Sequence, residues 1–211
     1  ALANTVVGVN GNYEQKVVNR FRATVSGTLQ SVRIYWQTGR GYSSGNGGVI
    51  QLRLMPDDGS AQHLPNLSAK PLATARYIPG QQVSSSGAPV FTDIHFSSTQ
   101  PIQAGQLYHL VMENLDPSPK ANFISSNNGI TANGRPARWT NTTDWATLLG
   151  TRPYGTTRAL RWFDLTTNGA SNNYYLPILQ LNVSGGQVQG VANIEGGALD
   201  PKLIFTSTNN R

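Results

Sequence analysis

The chain has 211 residues, of which 38% are hydrophobic and only 12% are charged. This length is enough for one large domain with a buried core, but the charged fraction is about half that of typical soluble domains. Asn, Ser, Thr, Gln and Gly supply the remaining polarity. That mixture favours strands and turns over helices, so a helical bundle, a coiled coil and a charged disordered tail are not expected. The absence of cysteine excludes a disulfide scaffold, Cys-ligated zinc or iron–sulfur sites and a thiol nucleophile.

The formal net charge is +6, and twelve of the sixteen basic residues are arginine. Arginine makes planar, bidentate contacts with carboxylate, phosphate and sulfate groups, so an anionic partner is a reasonable hypothesis. The basic residues form no block of like charge of the kind that grips nucleic acid, and nucleic acid binding is not expected. No stretch approaches the ~18 apolar residues of a membrane-spanning helix, so no membrane span is predicted.

Alternating hydrophobicity predicts strands along most of the chain. The clearest alternation is at 32–37, 50–55 and 93–96. Residues 107–113 form a nearly continuous apolar run, which predicts a central strand, and Pro177 within the run 174–183 indicates an edge strand or a bulge. The shorter predicted strands are 17–25, 72–78, 121–125, 158–163, 188–193 and 202–206.

These strands are separated by turn sequences such as Asp57-Asp58-Gly59 and Ser184-Gly185-Gly186. Many short strands with hardly any helix predict an all-β fold, an antiparallel β-sandwich that is jelly-roll-like. We find no internal repeat and no linker, so residues 1–211 are predicted to form a single domain. Because the chain starts at Ala1 without Met and is rich in Asn, Ser, Thr and Gly, we expect a domain of a larger bacterial protein that is secreted or displayed at the cell surface.

Two segments interrupt the strand pattern. Residues 39–48 are Gly-rich, and residues 126–157 run for 32 positions with almost no alternation. Within the longer segment, residues 144–149 are predicted to form a short helical turn that ends at Gly150. Loops of this length are uncommon in compact domains and are often functional, which makes the longer segment the predicted binding region.

Aromatic and basic residues are concentrated in and just after this longer segment. Five arginines and a single acidic residue, Asp144, lie within 27 positions, and three of the four tryptophans lie within 24. Indole and phenol rings offer flat apolar faces on which a pyranose can stack, while arginine can bind a uronic carboxylate or a sulfate. The pattern predicts non-catalytic binding of a polysaccharide, with an acidic glycan favoured. The predicted contact residues are Trp139, Trp145, Tyr154, Arg135, Arg138 and Arg152.

The alternative interpretation is that these rings plug the end of the sandwich and that the arginines only solvate a long loop. The histidines, His63, His95 and His109, lack metal-ligand spacing. His95 and His109 fall on neighbouring predicted strands, and His109 is expected in the core. No pair of acids is marked for glycoside hydrolysis, so no catalytic residue is predicted. No cofactor is predicted either, although a structural Ca²⁺ held by backbone carbonyls and a few Asp stays open.

One stretch of motifs resembles a known class of domains. The motifs, in order, are RFRA at 20–23, LQSVRI at 29–34, VIQLRL at 49–54, DDG at 57–59, FTDIHF at 91–96 and IQAGQLYHLV at 102–111. This order is similar to that of jelly-roll accessory domains of secreted bacterial proteins. The resemblance covers about residues 17–125 and implies a non-catalytic β-sandwich, broadly like carbohydrate-binding modules, attached to an enzyme or surface protein. It transfers no binding residue to this chain.

Jelly-roll alginate lyases share the fold class and also act on acidic glycans. They carry a strand motif R-x-E-L-R, a Q-I-H triplet and a terminal Y-F-K-x-G-x-Y. Here Arg20-Phe21-Arg22 lacks the Glu, Asp93-Ile94-His95 has Asp in place of Gln, and the third motif is missing. A polysaccharide lyase or hydrolase is therefore kept as the first alternative function. The second alternative is a structural or adhesive domain of a surface, phage tail or capsid-like assembly.

Overall fold

The computed structural model describes residues 2–36, 42, 44–81, 90–99, 101–131, 143–167, 173–174, 179–184, 187–189 and 208–209. Within these residues the only helical element is one 3-10 turn, Pro79–Gln81. The strands, in chain order, are β1 (Leu2–Asn10), β2 (Tyr13–Arg22), β3 (Gly27–Trp36), β4 (Ile50–Pro56), β5 (Ala73–Tyr77), β6 (Val90–His95), β7 (Ser98–Thr99), β8 (Pro101–Ile102), β9 (Leu107–Asn114), β10 (Ile124–Thr131), β11 (Trp145–Pro153), β12 (Arg161–Asp164), β13 (Asn173–Tyr174), β14 (Leu179–Val183), β15 (Gln187–Gln189) and β16 (Thr208–Asn209). No helix in the described ranges is long and apolar enough to cross a membrane.

The first sheet has the strand order β12-β11-β2-β9-β4-β5-β7, and its pairs are antiparallel. Its longest ladder joins β11 to β2, from Trp145 opposite Phe21 to Pro153 opposite Tyr13. β9 lies between β2 and β4, and residues 107–112 are all buried. The prediction of a central strand at 107–113 is therefore confirmed, since a strand covered on both faces needs a continuous apolar sequence.

The second sheet is organised around β3. β6 and β14 pair with most of its length, β15 and β16 extend the sheet beyond β14, and β8 pairs with its first two residues. β10 pairs with β1 and β13 and meets β3 only at Ser126 opposite Trp36. All these pairs are antiparallel, and the two sheets do not close into a barrel. The predicted fold class, an all-β antiparallel sandwich, is confirmed.

β1 takes part in both sheets. Leu2 to Val7 pair with β10 in the second sheet, whereas the last three residues, from Gly8, pair with β2 in the first. Gly8 has a φ of 148°, and a Cβ built on it would lie 2.7 Å from the Cβ of Phe123. Only glycine fits there without a backbone shift, so this residue allows one strand to change sheets. The sequence analysis did not predict β1.

The main core lies between the sheets and follows the alternation of the sequence. Val32 and Ile34 of β3, for example, are fully buried and belong to this core. A second apolar cluster lies on the outer face of the first sheet and consists of Val18, Met55, Val111, Ala146 and Leu148. Leu64 and Leu67 of the connection 57–72 pack against it. The first sheet is thus covered on both faces, by the second sheet and by this connection.

The predicted helical turn at 144–149 is wrong, because these residues begin β11. Ala146, Leu148 and Leu149 favour helices in isolation, but the ladder to β2 pairs their backbone and buries Ala146 and Leu148 in the outer cluster. Tertiary pairing here outweighs local propensity. The predicted long loop 126–157 is corrected in the same way, since it contains most of β10 and all of β11.

The strands of His95 and His109, which follow one another in the predicted order, are not paired in the structure. His95 lies on β6, which pairs with β3 in the second sheet, and His109 lies on β9 in the first. The expectation that His109 lies in the core is consistent with its complete burial. The predicted strand 202–206 and part of the Gly-rich segment 39–48 lie outside the described residues.

Candidate functional site

A groove with a volume of about 560 Å³ lies beside the β11–β12 edge of the first sheet. We call it the arginine groove. The residues that line it include Tyr13, Leu149, Arg152, Arg158, Arg161, Phe163 and Leu165. Three of the five arginines that the sequence analysis grouped therefore meet in one place, together with two aromatic rings. The volume lies within the range of about 300–1,000 Å³ that is usual for ligand sites.

The alternation of β11 and β12 explains why Leu149, Arg161 and Phe163 share one face, whereas Arg152 is paired with Glu14 on the opposite face of β11. Leu149 pairs with Phe163, and Thr151 pairs with Arg161. Side chains of directly paired residues stand on the same side of a sheet. Leu149 is also paired with Val17, which belongs to the main core, so the side that carries Leu149 is the core side of the sheet. The floor of the groove is thus the outermost part of the core face, left half-buried at the β12 edge.

The basic residues of the groove differ in how far their charge is compensated. Arg158 and Arg161 are exposed, and neither contacts a carboxylate among the described residues. The guanidinium of Arg161 lies over the ring of Phe163, 4.8 Å from its centroid, a cation–π contact that orients the charge without neutralising it. These two residues leave the groove with a positive charge that an anionic ligand can compensate.

Arg152 is already engaged by Glu14. Its Nε and Nη2 donate hydrogen bonds to the two carboxylate oxygens of Glu14 over 2.7 and 3.3 Å. Glu14 also pairs with Lys16, which bonds Glu113, and Glu113 pairs with Arg53. Burial would raise the pKa of Glu14, but Arg152 and Lys16 outweigh it and hold that pKa below its ordinary value. Arg152 is therefore a member of an alternating charge ladder and contributes less free charge than its neighbours.

The predicted contact residues are placed in different environments. Trp145 is 2% exposed and packs edge-on against Phe21 in the core, so its ring has no face available to a sugar and burial removes it from the contact set. Tyr154 is 47% exposed, but it borders a smaller polar cleft with Glu14 and Asp116 rather than the arginine groove. Trp139, Arg135 and Arg138 lie outside the described residues.

A second constellation, which sequence reasoning did not find, centres on Asp57. Its Oδ2 lies 2.9 Å from Nε2 of His109, and its Oδ1 lies 3.2 Å from Nδ1 of His63. Burial lowers the pKa of His109 to about 4, although Asp57 acts in the opposite direction. A neutral His109 that donates from Nε2 keeps a lone pair on Nδ1, and this buried Nδ1 has no hydrogen-bond partner among the residues that the structure describes.

The signal for this cluster was present but depended on knowing which strands are neighbours. Met55 of β4 pairs with His109 of β9, and Asp57 follows Met55 by two positions, so it projects on the same side of the sheet. Burial would raise the pKa of Asp57, but hydrogen bonds from His109, His63 and the Gly59 backbone lower it below its ordinary value. Asp57 is therefore an ionised acceptor at neutral pH.

The Asp57-Asp58-Gly59 sequence does not form a tight hairpin turn; it begins the long connection 57–72 between β4 and β5. The Gly59 N–H donates to Asp57 Oδ1, and the N–H groups of Ser60 and Leu64 donate to Asp58 Oδ1. Among the residues that the structure describes, no group of three or more His, Asp or Glu side chains is placed to hold a metal ion. The two carboxylates thus serve to fix the start of the 57–72 connection.

Next to this cluster lies a second cavity, of about 500 Å³, on the outer face of the first sheet. We call it the tryptophan pocket. The residues that line it include Arg20, Gln62, His63, Leu148, Trp162 and Asp164. Arg20 is buried, and its guanidinium donates to the carbonyls of Thr143, Gln62 and His63. Arg20 therefore fastens the 57–72 connection to the sheet and gives the pocket a rigid wall.

No protein-family model matches the chain, and no curated protein sequence matches it significantly. The described strands form antiparallel sheets that are compatible with a β-sandwich, and neither comparison supports a more specific family resemblance. Any functional conclusion consequently depends on the geometry of the two cavities.

Proposed function

We propose that this chain is a non-catalytic domain that binds an acidic polysaccharide, with the arginine groove as its binding site. The observation that carries this proposal is the pair of exposed guanidinium groups, Arg158 and Arg161, above an apolar floor that contains Phe163; within the described part of the chain neither guanidinium contacts a carboxylate. Guanidinium groups match the geometry of carboxylate and sulfate, while the aromatic and aliphatic floor suits the C–H faces of sugar rings.

The position of the groove suits an extended ligand. It lies beside an edge strand of the sandwich, and Tyr13, which is 52% exposed, stands at its border. The net charge of +6 attracts polyanions over a distance of about one Debye length. The resemblance to accessory domains supports the same class of function and suggests a module of a secreted or surface-displayed bacterial protein. Contacts by Arg135, Arg138 and Trp139 stay predictions.

The test is native affinity electrophoresis in gels cast with alginate, polygalacturonate, a sulfated glycan or a neutral β-glucan. We expect retardation in at least one acidic gel, without release of reducing ends or unsaturated uronates. The double variant Arg158→Gln/Arg161→Gln should bind that glycan at least about tenfold more weakly, because each charge-assisted hydrogen bond is worth about 1.5–3 kcal/mol. Added salt should weaken binding by the unmodified protein.

The matched control is Lys70→Gln/Arg76→Gln, which removes the same charge at exposed positions away from the groove. Equal weakening by both double variants would show attraction to overall charge and would contradict a site in the groove. Retardation accompanied by product release would replace the proposal with the enzymatic alternative. Failure to bind any acidic glycan would overturn it and favour a structural or adhesive role.

A further inference from the structure

The edge strand β12 presents two chemically different faces. Its four residues are Arg161, Trp162, Phe163 and Asp164. Because side chains alternate along a strand, Arg161 and Phe163 stand on one side and Trp162 and Asp164 on the other. Arg161 lines the arginine groove, Trp162 and Asp164 line the tryptophan pocket, and Phe163 borders both cavities. The second face has no part in the function proposed above.

Trp162 is held flat against the sheet by a glycine. It pairs with Gly150 of β11, and a Cβ built on Gly150 would lie 2.9, 3.0 and 3.3 Å from three adjacent atoms of the six-membered ring. Three nearly equal distances require that the ring lies face-on over Gly150, since an edge-on ring would have only one atom so close. One face of the indole is thus occupied, and the rest of this half-buried side chain borders the pocket.

Asp164 supplies a hydrogen-bond acceptor beside this ring. Its Oδ1 accepts from the backbone N–H groups of Thr166 and Thr167 over 2.9 and 3.2 Å. Those bonds fix the carboxylate, which is 31% exposed, and place Oδ2 3.9 Å from Nη2 of Arg20. A flat ring and an oriented carboxylate two positions apart on one strand form a platform with a polar edge.

The opposite wall of the pocket is also fixed in advance. His63 has a φ of 51°, an uncommon value for a residue with a side chain, and its Nδ1 is held by Asp57. The bonds from Arg20 to the carbonyls of Gln62 and His63 hold the backbone on either side of this ring. The pocket therefore needs little reorganisation to accept a ligand.

The charges around the pocket distinguish its ligand from that of the arginine groove. Arg20 lies close to three carboxylates, those of Asp164, Asp57 and Asp144, and to one further cation, Arg22. Its guanidinium is largely engaged by backbone carbonyls. A uronate or sulfate would meet a negative surplus here, whereas hydroxyl groups can donate to carboxylate and accept from an amide or imidazole.

We propose that the tryptophan pocket is a second, separate binding site, which takes a neutral pyranose residue stacked on Trp162 with its hydroxyl groups bonded to Asp164. The site does not depend on the arginine groove. A chain with both sites can hold an acidic and a neutral sugar region on the two sides of the β11–β12 hairpin.

The test is titration of the whole chain with cellohexaose, mannohexaose or xylohexaose. Binding is monitored by tryptophan fluorescence and by calorimetry. We expect saturable binding of at least one of these neutral probes. Trp162→Ala should weaken it by about tenfold or more, and Asp164→Asn should weaken it several-fold. Arg158→Gln/Arg161→Gln should leave it unchanged, and this variant separates failure of the pocket from failure of the groove.

Since Trp162 packs on Gly150 and the outer cluster, the thermal unfolding midpoint of each variant is measured beside its affinity. If Trp162→Ala does not fold, the affinities of Trp162→Phe and Asp164→Asn test the proposal instead. Trp162→Phe keeps most of the ring packing, and Asp164→Asn keeps an oxygen that can accept from the Thr166 and Thr167 N–H groups. Absence of binding to all three neutral probes at millimolar concentration overturns the proposal. Equal affinity in the unmodified protein and in every folded pocket variant overturns it as well.

Discussion

Asp57 fixes two imidazoles that are far apart in the chain. It accepts from His109, which is completely buried, and contacts His63, which is partly exposed at the tryptophan pocket. Burial favours the neutral form of His109, and Asp57 satisfies its Nε2–H. This single contact ties the turn after β4 to the centre of β9.

We expect the free energy of unfolding to decrease as the pH falls from about 6.5 to about 4. The pKa of His109 is about 4 in the folded chain against an ordinary value of 6.5, so in this window the unfolded chain binds a proton that the folded chain does not. The contribution of neutral His109 to the free energy of unfolding is therefore fully present above about pH 6.5. It is lost as the pH falls toward 4, and the loss is at most about 3 kcal/mol. Urea unfolding followed by circular dichroism over this pH range measures the loss.

His109→Gln should flatten this dependence, since glutamine can still donate to Asp57 but does not titrate. The matched control is His95→Gln, which removes an exposed histidine on the other sheet and should leave the dependence in place. An unfolding free energy that does not change between pH 6.5 and 4 would contradict the protonation argument.

At the scale of elements, local propensity and tertiary pairing disagree most clearly in β11. The sequence of this strand resembles a short helix, yet it makes the longest ladder of the first sheet. In β12, by contrast, the local pattern is sufficient. Alternation along the strand places Arg161 and Phe163 on one face and Trp162 and Asp164 on the other. β1 adds a constraint of its own, since it must leave one sheet for the other at Gly8.

Gly8→Ala should destabilise the chain by about 2 kcal/mol more than Gly11→Ala. Both positions have a positive φ that side chains rarely adopt, 60° at Gly11 and 148° at Gly8. The left-handed conformation at Gly11 costs a residue with a Cβ about 1–2 kcal/mol, and the value at Gly8 lies further from any conformation that such a residue adopts. Only at Gly8 would the new Cβ overlap Phe123 and Asn114; nothing lies within 4 Å at Gly11. Chemical unfolding of the two variants measures the difference. Equal losses would mean that the crossing does not require close contact at Gly8.

At the scale of the whole molecule, β1 joins the two sheets through its backbone and the main core lies between them. Arg20 adds a further connection, because it fastens the 57–72 connection over the outer face of the first sheet. Unfolding of one sheet should therefore expose the apolar core face of the other to water. This coupling is the physical basis for expecting residues 1–211 to behave as a single domain.

We expect one cooperative unfolding transition. Circular dichroism at a strand wavelength and tryptophan fluorescence should give coincident midpoints, as they do for a two-state domain. Gly8→Ala should move both midpoints together because β1 belongs to both sheets. Two separate transitions, or a shift of only one probe, would contradict the single-domain prediction.

The sequence by itself determined the fold class, most of the strands and the burial of alternating positions such as Val32 and Ile34, because a period of two is a local property of the chain. It also indicated that Arg152, Arg158 and Arg161 belong to one region. Only the tertiary structure decided that Trp145 enters the core, that Trp162 lies on Gly150 and that Asp57 meets His109, which is 52 positions away. The reason is that such contacts depend on which strands become neighbours, and strand pairing is a long-range property that local patterns do not encode.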